Sequence, residues 1–149
     1  LYHYTHRDIT NAWAGGLFDG EGTINISNSS VSIKVCIQMT DLDVLEKMKK
    51  EYGGQIIICV KQADHHKQSW SWYISDSKKS IAFLNEIYPW LGKRRQSRAE
   101  EARIKYQSSQ EIKKQKIREL RHSGLTQQAI ADKVGCRREH VNRVLNGKS

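Results

Sequence analysis

The sequence predicts an α+β domain followed by a small all-α one. Three observations carry that expectation. Over residues 8–92 the apolar spacing switches between a helical period and a period of two, in the order helix, hairpin, helix, hairpin, helix. Glycine pairs and polar clusters mark the switches. After residue 92 the alternation stops, and the rest is helix-prone and strongly basic.

The first helix is expected over residues 8–18. Asp8 can cap it, and Ile9, Ala12, Trp13, Gly16 and Leu17 recur at helical spacing. Ala12, Gly16 and Gly20 form a ridge of small residues at i, i+4 and i+8. Glycines weaken a helix, so some close approach of another backbone must offset their cost. The period then becomes two. In "TINISNS" Ile24 and Ile26 face one way, while Thr23, Asn25 and Ser27 face the other. In "VSIKVCIQM" Val31, Ile33, Val35, Ile37 and Met39 oppose Ser32, Lys34, Cys36 and Gln38. Asn28, Ser29 and Ser30 are the expected turn between them.

Either Thr40 or Asp41 caps the next helix, "LDVLEKMKKEY", which should bury Leu42, Leu45 and Met48 and end at Gly53-Gly54. A second hairpin follows. "QIIICVK" is too uniformly apolar to phase, whereas "SWSWYIS" points Trp70, Trp72 and Ile74 inward and Ser69, Ser71 and Tyr73 outward. The connecting loop is "QADHHK". A helix from Asp76 or Ser77 runs through "IAFLNEIY" to Pro89. Two such hairpins can join into one antiparallel sheet, with helices on the apolar side and a polar side left open. A last helix plus linker is expected from Lys93 to about Gln115, with the boundary at "QSSQ", residues 107–110.

Charge separates the two parts. Residues 1–92 carry 9 Lys and Arg against 10 Asp and Glu, whereas residues 93–149 carry 16 against 6. The net charge of +9 favours an anionic partner, either nucleic acid or an acidic membrane surface. No apolar run is long enough to span a membrane, and no signal peptide is visible, so an intracellular, membrane-free protein is expected. Cys36, Cys59 and Cys136 are odd in number and widely spaced, which fits thiols in a reducing compartment rather than a zinc site or a disulfide framework.

Two stretches carry chemistry. "AGGLFDGEG", residues 14–22, places two carboxylates one residue apart between glycines, and a strand follows. A calcium loop does not fit, because Ile24 stands at the sixth position from Asp19 and Ser30 at the twelfth. A dinucleotide loop does not fit either, because no strand precedes the glycines. The stretch resembles the LAGLIDADG motif of homing endonucleases, with Asp19 and Glu21 in the acidic places. Its first half departs from the motif at Ala14 and Gly15, and "LFDGEG" matches better. The resemblance extends to the order of elements over residues 7–107, to "IQMTD", to "YGG" and to "PWLGKRRQ".

That resemblance implies a LAGLIDADG-type αββαββα domain, residues 1–107, acting as a Mg²⁺-dependent, site-specific double-strand DNA endonuclease. Mn²⁺ or Ca²⁺ could occupy the same site. One chain holds one motif, so two cuts require a homodimer, with Ala12, Trp13, Gly16 and Gly20 at its contact. Glu21 and the Gly20 carbonyl would hold the metal. Asp19 has a more structural place. Asp41 matches a position near the active-site waters. Lys93 best matches a peripheral lysine that polarises water or phosphate, with Arg94 and Arg95 close enough to leave the register open. The polar sheet face would read the major groove through Asn25, Ser27, Lys34, Gln38, Lys61, Ser71 and Tyr73. His65 and His66 belong to a loop that could overhang the outer DNA.

The second stretch, "TQQAIADKVGCRREHVNRVLNG", resembles a helix-turn-helix and defines residues 108–149 as a DNA-binding domain. Thr126 caps its first helix, Ala131 lies at the helix crossing, Gly135 makes the turn, and Cys136, Val141, Val144 and Leu145 face the core. Ile117 and Leu120 would supply a support helix. Arg137, Arg138, Glu139, His140, Asn142 and Arg143 are left for DNA; Arg suits guanine edges or phosphates, and Asn suits adenine. Two other readings stay open: a non-cutting transcription regulator, in which a LAGLIDADG-like domain is joined to a helix-turn-helix, and a maturase that binds host intron RNA.

Overall fold

A computed structural model describes residues 3–27, 31–61 and 67–147. The expected turn at Asn28, Ser29 and Ser30, and the histidines His65 and His66, lie outside the described residues. The chain divides into two compact units, Leu1–Tyr106 and Gln107–Ser149.

In the first unit helix α1 spans His6–Glu21. Its cap is Thr5 and not Asp8. The Thr5 hydroxyl accepts from the Asp8 backbone N–H, and the Asp8 carboxylate accepts in return from the Thr5 N–H at 2.8 Å. This reciprocal box satisfies two otherwise orphaned donors and holds the Asp8 carboxyl below its ordinary range, chiefly through the Thr5 side chain. The helix also runs beyond Phe18, carrying Asp19, Gly20 and Glu21 in its last turn.

Strands β1 (Gly22–Ile26), β2 (Ile33–Met39), β3 (Gln55–Ile58) and β4 (Trp70–Ile74) form one antiparallel sheet in the order β1-β2-β4-β3. Helices α2 (Leu42–Tyr52) and α3 (Ser77–Ile87) join α1 on its apolar side. The core alternates as the sequence predicts. Ile24, Ile33, Val35, Ile37, Trp72 and Ile74 are buried, and the residues between them are not. Leu45 and Met48 of α2 join them, while Leu42 is only half-buried. Phe83 of α3 is the hub, meeting the rings of Phe18, Tyr52 and Trp72 edge-on at 5.4, 5.0 and 5.3 Å.

Pairing decides the phase that "QIIICVK" leaves open. Ile56 lies opposite Trp72 and turns to the core side, whereas Ile57 lies opposite Ser71 and turns away. Gly53 and Gly54 take φ of +72° and +87° to end α2 and begin β3, a conformation costly for a residue with a Cβ.

The face of α1 differs from the apolar spacing. Thr10, Asn11, Ala14, Gly15 and Phe18 turn to the core, and Ile9 is 63% exposed. Polar residues enter the core side because they have partners there: Tyr52 donates to the Asn11 side-chain oxygen at 2.7 Å, and the Thr10 hydroxyl donates to the His6 carbonyl. Burial pushes the Tyr52 phenol up to about 12.

Helix α4 spans Lys93–His122, following a 3-10 turn at Tyr88–Trp90. No linker interrupts it: "QSSQ" is helical throughout. The division between the two units falls inside this helix. Glutamine and serine are tolerable helix formers and no proline or glycine occurs there, so nothing local stops propagation.

In the second unit the end of α4 packs with α5 (Gln127–Val134) and α6 (Arg138–Leu145). Ile117, Ile130, Ala131 and Val141 are fully buried, and Leu120, Leu125, Val134, Cys136, Val144 and Leu145 close around them. Thr126 caps α5 by accepting from the Ala129 N–H at 3.2 Å, and Gly135 takes the left-handed turn at φ +69°. No helix among the described residues is long and apolar enough to cross a membrane.

Candidate nucleic-acid interface and metal-binding carboxylate

Gly20 and Glu21 are the last two residues of α1, and both are exposed. The chain passes from helix to strand at Gly22 with φ −78° and ψ 154°, a conformation open to any residue. Glycine is needed there for space: a Cβ would come within 2.4 Å of the Phe18 ring. The switch is thus so tight that Glu21 ends the helix, and its neighbour already pairs with Ile37 of β2.

Asp19 and Glu21 crowd the C-terminal turn of α1, and no basic residue shares that turn. A helix C-terminus is its negative end, so two carboxylates there are unfavourable without a cation or donor nearby. Asp19 has its donor: its carboxylate accepts from the Gly92 N–H at 2.9 Å, just before α4 begins. The Arg95 Nε donates to the Asp19 carbonyl at 3.3 Å, and the Arg98 Nε to the Ile24 carbonyl at 3.4 Å. These bonds pin the start of α4 to the α1–β1 junction. Lys93 and Arg94 are left exposed beside it, and Arg95 is half-buried.

Asp41 stands at the N-cap of α2, but its exposed carboxylate makes no capping hydrogen bond. Among the described residues no three His, Cys, Asp or Glu side chains gather closely enough to enclose a metal ion. Glu21 and the Gly20 carbonyl are hard oxygen donors of the kind Mg²⁺ and Ca²⁺ take, and such ions complete their shells with phosphate oxygens and water. Two such donors on one chain leave most of an ion's coordination shell to other oxygens.

The sheet face turned away from the helices is polar. Across it, Asn25 pairs with Lys34, Thr23 with Cys36, Cys36 with Tyr73, and Gln38 with Ser71. Asn25 and Gln38 are exposed, while Ser27, Lys34, Ser71 and Tyr73 are half-buried. The Lys34 ammonium sits 4.3 Å over the Tyr73 ring, which fixes a flexible cation on the face. Gln38 Nε2 donates to the Ser69 hydroxyl at 3.3 Å. Lys61 is exposed just beyond β3. Gln55 and Ile57 complete the face opposite Tyr73 and Ser71. Their place follows from strand pairing, which local alternation in an all-apolar run cannot supply.

In the second unit Arg137, Arg138, Glu139, Asn142 and Arg143 are exposed around α6, opposite the buried Val141. His140 is half-buried. Burial first, then Arg143, Lys113 and Lys114, hold its imidazole below the ordinary value, so it is neutral near pH 7.

The fold is similar to that of homing endonucleases of known structure. One is I-CvuI in complex with its target in the presence of Ca, at 19% identity and a TM-score of 0.55, covering 96% of both chains. Another is the archaeal intron-encoded homing endonuclease I-Vdi141I complexed with DNA, at 14% identity and a TM-score of 0.54, covering 96% of this chain and 98% of that one. A third is I-CvuI with the I-CreI target in the presence of Mg, with its DNA not cleaved, at 18% identity and a TM-score of 0.51, again covering 96% of both chains. No family model and no curated protein sequence matches this chain.

Proposed function

We propose that this chain is a homodimeric, divalent-metal-dependent, site-specific DNA endonuclease of the homing type. The shared fold with homing endonucleases solved on DNA supports a nuclease that grips duplex DNA. The observation that carries the reading is the end of α1. Glu21 projects there, exposed, at the foot of a ridge whose Gly16 and Gly20 have nothing within 4 Å of a Cβ position. Two copies meeting along Ala12, Trp13, Gly16 and Gly20 would bring two such glutamates together.

Glu21 and the Gly20 carbonyl from each copy would hold Mg²⁺, with Mn²⁺ or Ca²⁺ as substitutes. When bound, the metal neutralises phosphate charge and lowers the pKa of water. The rest is the work of the chain. Asp41, free of a capping bond, is available to orient water, and Lys93 and Arg94 offer positive charge to the scissile phosphate. The face bearing Asn25, Ser27, Lys34, Gln38, Ser71 and Tyr73 lies in the major groove, with Lys61 at its margin. The second unit acts as a helix-turn-helix on flanking DNA: Arg137, Arg138 and Arg143 meet phosphates or guanine, and Asn142 meets adenine, with Glu139 and neutral His140 beside them.

The test is incubation with a randomised duplex library, with and without Mg²⁺, beside Glu21→Gln. Discrete double-strand cuts that need Mg²⁺ are expected. Their rate should fall more than about a hundredfold in the variant, whose thermal melt stays intact. Tight sequence-selective binding with no cutting under any divalent ion overturns the nuclease and leaves a DNA-binding regulator. Binding confined to structured RNA overturns both and leaves the maturase.

A further inference from the structure

The open face of the sheet is polar except at one place. Ile57 of β3 is 49% exposed and lies opposite Ser71, which lies opposite Gln38. The row Gln38–Ser71–Ile57 thus crosses three strands and ends in a branched aliphatic side chain. Within the four strands no other large aliphatic side chain is exposed on this face; Ile58, 65% exposed, lies opposite Trp70 on the other one. The core does not need Ile57, since Ile56 already turns inward against Trp72. An isoleucine held half in water on a polar surface has a cost that burial against an apolar partner would remove.

In the major groove one base-edge group is apolar, the 5-methyl of thymine. Resting on the reading of this face as a groove reader, we propose that Ile57 is a specificity-determining residue that selects thymine through its methyl group. Gln38 and Ser71 hydrogen-bond the neighbouring edges in the same row. Two copies of the chain would impose the preference once in each half-site, at symmetric positions. Lys34, fixed over Tyr73, supplies charge but no such discrimination.

The experiment starts from the site selected out of the randomised library by the wild-type protein. Thymines are replaced by deoxyuridine, one symmetric pair at a time, and dissociation constants are measured by fluorescence anisotropy. Deoxyuridine pairs as thymine does and lacks only the methyl. One pair should weaken wild-type binding about fourfold per half-site, from the value of a single buried methyl. In Ile57→Ala that same pair should have no effect, while every other pair behaves as in wild type. Ile57→Val should retain part of the loss. Because Ile57 is half exposed, both variants are expected to fold, and circular dichroism checks this. A wild type indifferent to every replacement, or a sensitive pair equally sensitive in Ile57→Ala, overturns this role and leaves the nuclease standing. If the protein selects no duplex site at all, the reading beneath it has failed as well.

Discussion

Gly15 and Gly16 are neighbours in α1, yet they face different worlds. A Cβ on Gly15 would lie 2.7 Å from the Trp90 Cβ and 3.3 Å from the Ile87 carbonyl, whereas one on Gly16 would meet nothing within 4 Å. The first glycine is explained inside the chain: it lets α1 lie against the 3-10 turn that leads into α4. The second, like Gly20, has no packing reason among the described residues. A helix that accepts two glycines on an open face loses about 0.8–1 kcal/mol at each relative to alanine. Glycine on the buried side reports packing already made, and glycine on the open side is where the proposed dimer contact would be made.

The largest expected break in that comparison is Gly16→Leu. The single chain should be as stable as wild type or more so, since leucine favours helix and its Cβ would meet nothing within 4 Å on an exposed position. A leucine on each copy should weaken the proposed dimer about tenfold or more, and double-strand cutting should go with it. Sedimentation across a concentration series, beside urea melts, reads both effects. Unchanged association with full cutting would show that the ridge is not the contact.

Gly15→Ala should do the reverse. Overpacking against Trp90 and Ile87 costs about 1–3 kcal/mol, visible in the urea midpoint, and any change in association follows from that loss. A variant as stable as wild type would mean that Trp90 moves aside freely.

The smallest effects separate the two ends of α1. At its start Asp8 is bonded to Thr5 and its carboxyl is held below the ordinary 3.8. Its contribution is therefore full above pH 3.8 and fades as pH falls through the lower folded-state value. Asp8→Ala should be less stable than wild type near neutrality, and the gap should close below pH 3.8 in acid melts. At the other end Glu21 opposes the helix dipole, so Glu21→Gln should raise Tm by up to a few degrees while abolishing cleavage. A gap at Asp8 that persists at low pH, or a lowered Tm in Glu21→Gln, would contradict this account of the helix ends.

Much of the fold is legible in the sequence because period is a local property. The alternation of Ile33, Val35 and Ile37 needs a single strand to be seen, as does that of Trp70, Trp72 and Ile74. So does the left-handed turn at Gly135 between two short amphipathic runs. Asp8 misleads because an acid in the first turn suits a cap or the third helical position equally, and only the hydroxyl of Thr5 three residues earlier decides between them. "QSSQ" falls where the two units divide but misleads as a linker, because polar residues describe a linker and an exposed helix alike; in α4 the helix simply continues.

By itself the sequence determined the order of elements, the apolar side of each strand, the "DGEG" acids where helix becomes strand, and the concentration of charge after residue 92. These depend on near neighbours and on composition. Only the tertiary structure decided which of two adjacent glycines is spoken for, that Asp19 is bonded to the Gly92 N–H, and that Ile57 shares a face with Ser71 and Gln38. Each of these joins residues far apart along the chain. A contact of that kind is set by strand register and by what a Cβ would strike, and neither exists until the chain has folded.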